Sequence, residues 1–232
     1  MSDLLLLHGA LGAASTLDPL QQLLKPDFRV HTLNFRGHGG STIPQEPFRI
    51  EHFAEDVLRY LDHHQLQQVD LFGYSMGGYV ALYLALQHPD RVGRIFTLAT
   101  KFAWSPETAA KEAKMLQPEK VAEKVPAFAA ALAKRHQPAD WQEVMRHTAS
   151  MMQHLGNHPL LTEDTLPGIQ TTVRISVGDR DNMVGLQETA WAFQHLPNAS
   201  LQVFPNTHHP LEKVNLNQLQ HELRQFFGKV TV

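Results

Sequence analysis

Short runs of consecutive apolar residues alternate along the chain with longer stretches in which apolar side chains recur every three or four positions. The short runs fall at residues 4–8, 29–34, 69–73, 94–99, 172–177 and 200–204. They read as buried strands. The helical period appears near residues 15–24, 51–65, 76–88, 186–195 and 215–227. Alternating β and α elements predict an α/β fold: a mostly parallel six-stranded sheet with helices on both faces. A site is then expected just beyond the C-terminal ends of the strands.

The alternation breaks between Trp104 and Gly168. Four runs rich in Ala, Lys, Glu and Gln occupy 106–116, 118–124, 126–136 and 139–155, and Pro106, Pro118 and Pro126 stand where proline is tolerated, at helix starts. An insertion that leaves the sheet after a strand is expected to cover the functional end as a cap; the alternative is a helical unit standing away from it. The division follows: residues 1–103 and 168–232 form the core domain and residues 104–167 a helical cap insertion.

A chain of 232 residues fits one domain with such an insertion. Net charge is −3 and no basic run is long, which argues against nucleic acid or a membrane as partner. Cysteine is absent, so disulfides, thiolate catalysis and cysteine-ligated zinc are excluded. A cytoplasmic location is compatible with this and is expected. The apolar start lacks a positive n-region and reads as a strand rather than a signal peptide. No segment approaches the roughly 18 apolar residues of a membrane span.

Chemistry enters at Gly73-Tyr74-Ser75-Met76-Gly77-Gly78, between a predicted strand and a predicted helix. A serine at a tight strand-to-helix turn needs small neighbours, and Gly73, Gly77 and Gly78 supply them. Ser75 would then sit at a helix N-terminus, where free N–H groups favour negative charge. A serine nucleophile also needs a base, for which histidine is suited, and an acid to orient that base.

These residues, with four further motifs, resemble the α/β-hydrolase superfamily. Leu4-Leu5-Leu6-Leu7-His8-Gly9-Ala10-Leu11-Gly12 is similar to its first strand and oxyanion loop. Asn34-Phe35-Arg36-Gly37-His38-Gly39-Gly40-Ser41 resembles its glycine-rich loop. Gly178-Asp179-Arg180-Asp181 resembles its acid turn, and Pro205-Asn206-Thr207-His208-His209-Pro210 its histidine loop. The resemblance implies Ser75 as nucleophile, His209 rather than His208 as base, and Asp181 rather than Asp179 as acid. Asp179 is then a turn residue bonding its own backbone. It implies backbone N–H donors from Met76 and from Ala10, with Leu11 as the alternative, for an oxyanion. The chain departs from the pattern in having only about three residues before its first strand, so no preceding hairpin is expected.

The implied activity is cofactor-free hydrolysis of a small-to-medium carboxylic ester or related acyl substrate, a small molecule. Two alternatives stay open. One is a carbon–carbon hydrolase or lyase using the same residues. The other is a ligand receptor on the same fold with little turnover. Lys101 and Trp104 follow a strand at the start of the insertion and are candidate substrate contacts, as is Arg36; His38 reads as structural. Fifteen histidines raise the question of metal, but His147, His154 and His158 lack a completing carboxylate motif, and no metal site is expected.

Overall fold

The computed structural model describes residues 1–228. The strands are β1 (Asp3–Leu7), β2 (Arg29–Thr32), β3 (Val69–Tyr74), β4 (Val92–Leu98), β5 (Thr172–Gly178) and β6 (Ala199–Phe204). They are hydrogen-bonded in the order β2-β1-β3-β4-β5-β6, and every neighbouring pair is parallel. The helices are α1 (Asp18–Leu24), α2 (Ile50–His63), α3 (Met76–Gln87), α4 (Pro106–Met115), α5 (Pro118–Lys124), α6 (Pro126–His136), α7 (Trp141–Asn157), α8 (Leu186–His195) and α9 (Leu216–Phe227).

Successive strand residues point to opposite faces, so a strand covered on both sides must be apolar throughout. In β1, Leu4 and Leu6 pack with Phe72, Phe96 and Phe204 against α1 and α9. Leu5 and Leu7 face the other way, with Leu71 and Ile95, onto α2 and α3. All four leucines are fully buried, each contributing about 2 kcal/mol over exposure. Asp70 is a carboxylate inside β3. It is matched by Arg94 of β4, whose Nη2 lies 2.7 Å away and whose backbone N–H donates at 2.8 Å. Arg94 also donates to the carbonyls of Phe226 and Phe227, tying the end of α9 to the sheet. The buried charge is thus paired and hydrogen-bonded.

β2 ends at Thr32, two residues earlier than the apolar run suggests. Its pairing with β1 stops at Leu6 and Thr32. Asn34 is drawn into loop bonds instead, accepting from the Ala14 amide at 2.7 Å and donating to the Gly39 carbonyl at 3.3 Å.

The chain leaves β1 toward β2 on one side and leaves β3 toward β4 on the other. The crevice between the C-terminal ends of β1 and β3 is therefore the switch point at which open α/β sheets bind ligands. Helix α3 starts there. It is buried from Met76 to Leu82 because the sheet lies on one side and α2 on the other. The Tyr79 hydroxyl accepts the amides of Leu160 and Leu161, just after α7, at 3.1 and 3.0 Å.

Close approach of α3 to β3 requires glycine at position 78. A Cβ there would overlap the Thr100 hydroxyl and meet the Gly73 carbonyl at 3.0 Å and Thr97 Cβ at 3.1 Å. Gly78→Ala is expected to cost about 2 kcal/mol by overpacking. Gly185→Ala, at an exposed position whose nearest neighbour would be 4.0 Å away, should stay within about 0.5 kcal/mol. Urea unfolding of the two variants checks this; equal midpoints would contradict the packing argument.

Candidate active site

Ser75 joins β3 to α3 with φ +52° and ψ −117°. A side chain with a Cβ is strained there by about 1–3 kcal/mol, so the surroundings must hold it. The Ser75 amide donates to Leu98 at 2.8 Å, and the Thr100 hydroxyl donates to the Ser75 carbonyl at 3.1 Å. A Cβ on Gly77 would strike the Leu7 carbonyl. Ser75 precedes α3 as its N-cap residue, yet its side chain makes no capping bond. The hydroxyl is instead 3.4 Å from Nε2 of His209.

His209 is buried, and its Nδ1 lies 2.8 Å from Oδ2 of Asp181. The Asp181 side chain is wholly enclosed. Its Oδ1 accepts the amides of Met183 and Val184, both at 2.8 Å. Burial alone would raise its pKa, but the hydrogen bond and charge of His209 and the two amides together hold it below the usual carboxylate range. An ionised Asp181 can only accept, so Nδ1 carries the proton and Nε2 turns a lone pair to the Ser75 hydroxyl.

Neighbouring contacts register these loops. The Tyr74 hydroxyl donates to the His209 carbonyl at 2.7 Å, joining the residue before Ser75 to the histidine loop. Asp179 does not bond only its own turn, as expected, but reaches across to accept the Thr207 amide at 3.2 Å. The reason is proximity: Gly178 packs directly against Thr207, and the Arg180 amide donates to the Thr207 carbonyl at 3.1 Å. His208 is exposed.

Ser75 and His209 open on a cavity of about 50 Å³. Ala10 and Met76 line it, and Leu11 does not. Met76 is the first residue of α3, where the amide has no intrahelical acceptor. The rest of the wall is mostly apolar: Ile50, Tyr79, Met151, Met152 and Leu155, with Met183 and Val184 from the acid loop. Lys101, Trp104 and Glu112 also line it. Lys101 Nζ is 3.3 Å from Glu112, donates to the Met183 carbonyl at 3.2 Å, and lies 5.9 Å from the Trp104 ring centre. Sequence reasoning missed Glu112, because one Glu among the charges of α4 carries no local signal. It also missed Glu188, which accepts the amides of Phe102 and Ala103 at 2.8 Å and so holds the segment entering the insertion.

The sequence model of a family described as the alpha/beta hydrolase fold matches residues 4–162. This chain belongs to the α/β hydrolase family. It is 40% identical over 65 residues to 3-oxoadipate enol-lactonase 2 of Acinetobacter baylyi, a stretch covering 28% of this chain and 24% of that protein. It is 38% identical over 98 residues to a pimeloyl-[acyl-carrier protein] methyl ester esterase of Neisseria meningitidis, covering 42% and 30%. The chain thus spans less than a third of either relative. Its fold superposes on the enol-lactonase of Burkholderia xenovorans with a TM-score of 0.78 at 22% identity, covering 98% of this chain and 92% of that one. A hydrolase from Pseudomonas aeruginosa gives 0.78 at 19% identity, covering 98% and 90%.

Arg36 of this α/β hydrolase does not line the cavity, which corrects its assignment as a substrate contact. Its Nε donates to Asp56 at 3.0 Å and its Nη2 to Glu55 at 3.1 Å, both on α2, and its amide donates to Asp56 at 2.8 Å. The pull of two carboxylates from one helix fixes it on the sheet's flank. Among the described residues, no three His, Asp or Glu side chains form a metal-ligand group. Among the described residues, no helix is long and apolar enough to cross a membrane.

Beside the site, His8, His38 and His136 are fully buried, with ring centres 5.2 Å apart for His8 and His38 and 5.7 Å for His38 and His136. Burial lowers the pKa of His8 and of His136 to about 4 and that of His38 well below 6.5. Unfolded histidines take up protons near pH 6.5, which the folded rings do not. Stability from these groups is therefore complete above about pH 6.5 and is lost as pH falls toward 4. Urea midpoints should drop steadily across that window, and His38→Phe should flatten the dependence by about one proton. An unchanged slope in the variant would contradict this origin.

Proposed function

We propose that the chain is a serine hydrolase that cleaves a small-to-medium carboxylic ester through an acyl-enzyme. The observation that carries this reading is the hydrogen-bonded row Asp181, His209, Ser75, ending on a mostly apolar cavity. Ser75 Oγ attacks the acyl carbonyl as His209 Nε2 takes its proton. Asp181 orients the ring and stabilises its charged form. The carbonyl oxygen becomes an oxyanion facing the amides of Met76 and Ala10. The C–O bond then breaks, the alcohol leaves with the proton from His209, and water repeats the sequence to release the acid.

Residues 104–167 act as the cap in this reading: Met151, Met152 and Leu155 from that segment close the cavity over Ser75. At roughly 10–15 Å³ of centre space per water, a cavity of about 50 Å³ takes a short acyl chain. The Lys101 cation is paired with Glu112, which suits an uncharged chain. Two relatives whose names describe a lactonase and a methyl ester esterase add support, without fixing a substrate for this chain.

Active-site labelling with a fluorophosphonate, followed by an ester panel, tests the proposal. The label should fall on Ser75, and Ser75→Ala should lower kcat by about 10⁴-fold with the fold intact. Near wild-type hydrolysis by the purified variant would rule Ser75 out. His209→Ala and Asp181→Ala should be far more damaging than His208→Ala and Asp179→Ala; the reverse order would reassign base and acid. Excess ester should give many products per enzyme. One equivalent followed by negligible turnover across the panel would favour a receptor.

Trp104→Ala should change kcat/KM unequally with acyl chain length, because Trp104 lines the cavity from the segment just before α4. A uniform change, or none, would remove it as a specificity residue.

A further inference from the structure

The C-terminal end of α6 reaches three loops around the cavity. Arg135 Nη1 donates to the Leu11 carbonyl at 2.8 Å, and His136 Nε2 donates to the same oxygen at 3.1 Å. The other nitrogen of His136 accepts the Gly39 amide at 3.1 Å. Arg135 Nη2 stands 3.8 Å from Glu212, three residues after His209. A carbonyl only accepts and an amide N–H only donates, so His136 is held as the neutral tautomer with its proton on Nε2. Its lowered pKa, caused by burial, agrees with that form.

The doubly bonded oxygen belongs to an unusual residue. Leu11 has φ +56° and is the third residue of the turn closed by the Gly12 amide on the Gly9 carbonyl at 3.0 Å. Glycine or asparagine is the usual choice where that position has positive φ. Leucine has no such freedom, so the contacts around it must hold the turn.

Two peptide groups connect this clamp to the cavity. The Leu11 carbonyl and the Gly12 N–H are two ends of one planar peptide. Fixing the carbonyl aims the N–H at the Gly9 carbonyl. The Gly9 carbonyl, also bonded to His8 Nδ1 at 2.8 Å, shares the next planar peptide with the Ala10 N–H. Holding that carbonyl from one side points the Ala10 N–H the opposite way. Ala10 lines the cavity beside Ser75.

We propose that Arg135 and His136 are positioning residues that set the oxyanion donor of Ala10 from the helical insertion. This rests on the serine-hydrolase reading above. The insertion then does more than enclose the acyl chain: unless α6 is docked, the Ala10 amide is not aimed, and a substrate bound under an undocked insertion is not attacked efficiently. Arg135 supplies a charge-assisted bond and His136 a second bond that also secures the glycine-rich loop.

The test uses the full chain with a short ester and a fluorophosphonate. Arg135→Met and His136→Phe should each lower kcat about 10–100-fold with KM within about twofold, since losing an oxyanion donor costs about 10²–10³-fold and misaiming one costs less. Inactivation by the fluorophosphonate should slow in parallel. His136→Gln, whose amide can both donate and accept, should recover most of the rate. Thermal melts establish that each variant is folded at the assay temperature.

Unchanged kcat and labelling with only a lower melting midpoint would overturn the proposal, leaving a simple structural staple. A loss confined to KM would also overturn it. A wild-type chain that takes no label at Ser75 would overturn the serine reading and this proposal together. Normal wild-type labelling with unaffected variants would overturn this proposal alone.

Discussion

The structure depends on how closely the turn at Ser75 lies against β1, β3 and the start of α3. The strained backbone at φ +52° is held by a bond to Leu98 and one from Thr100, but those bonds form only if α3 comes down onto the sheet. Gly73 packs against Gly77 and Gly78, Gly77 against the Leu7 carbonyl, and Gly78 against Thr97 and Thr100. Any side chain at these positions would lift the helix and relax the turn. The first amides of α3, without intrahelical partners as in any helix, begin directly after Ser75. Strain and packing at this turn therefore have one cause.

The other loops are stitched to that turn by bonds spanning long stretches of chain. Tyr74 holds the histidine loop through the His209 carbonyl, and Asp179 holds it through Thr207. Asp181 is buried but remains a carboxylate because His209 and two amides compensate its desolvation. On the opposite rim, neutral histidines take the place of charged groups. Each of His8 and His136 donates from one nitrogen and accepts at the other, so they link backbone groups without bringing a charge into the core. The cost is acid sensitivity, because protonation would destroy the accepting side.

Between these rims lies a cavity with flexible methionine walls and the paired Lys101 and Glu112. Met151, Met152 and Met183 are unbranched, polarizable side chains suited to filling a cavity of irregular shape. The ion pair is nearly buried and is anchored by the Met183 carbonyl, so it fixes the position of the segment leaving β4 relative to the acid loop.

The sequence by itself determined the alternation of strands and helices, the six-stranded parallel sheet and the interruption between Trp104 and Gly168. These follow from local period and from apolar runs that only a doubly covered strand tolerates. Ser75 was legible for a similar reason: the glycines that permit its turn are its immediate neighbours. Asp181 and His209 were legible through the loops that the chain resembles, and the structure brings both to Ser75. Only the tertiary structure decided what long-range partners decide. It turned Arg36 away from the cavity onto Asp56 and Glu55, sent Asp179 across to Thr207, placed Glu112 beside Lys101 and brought Arg135 and His136 to Leu11. In each case the side chain was satisfied by a group on a different element. A charged residue's nearest partner depends on how those elements pack, which local sequence does not encode.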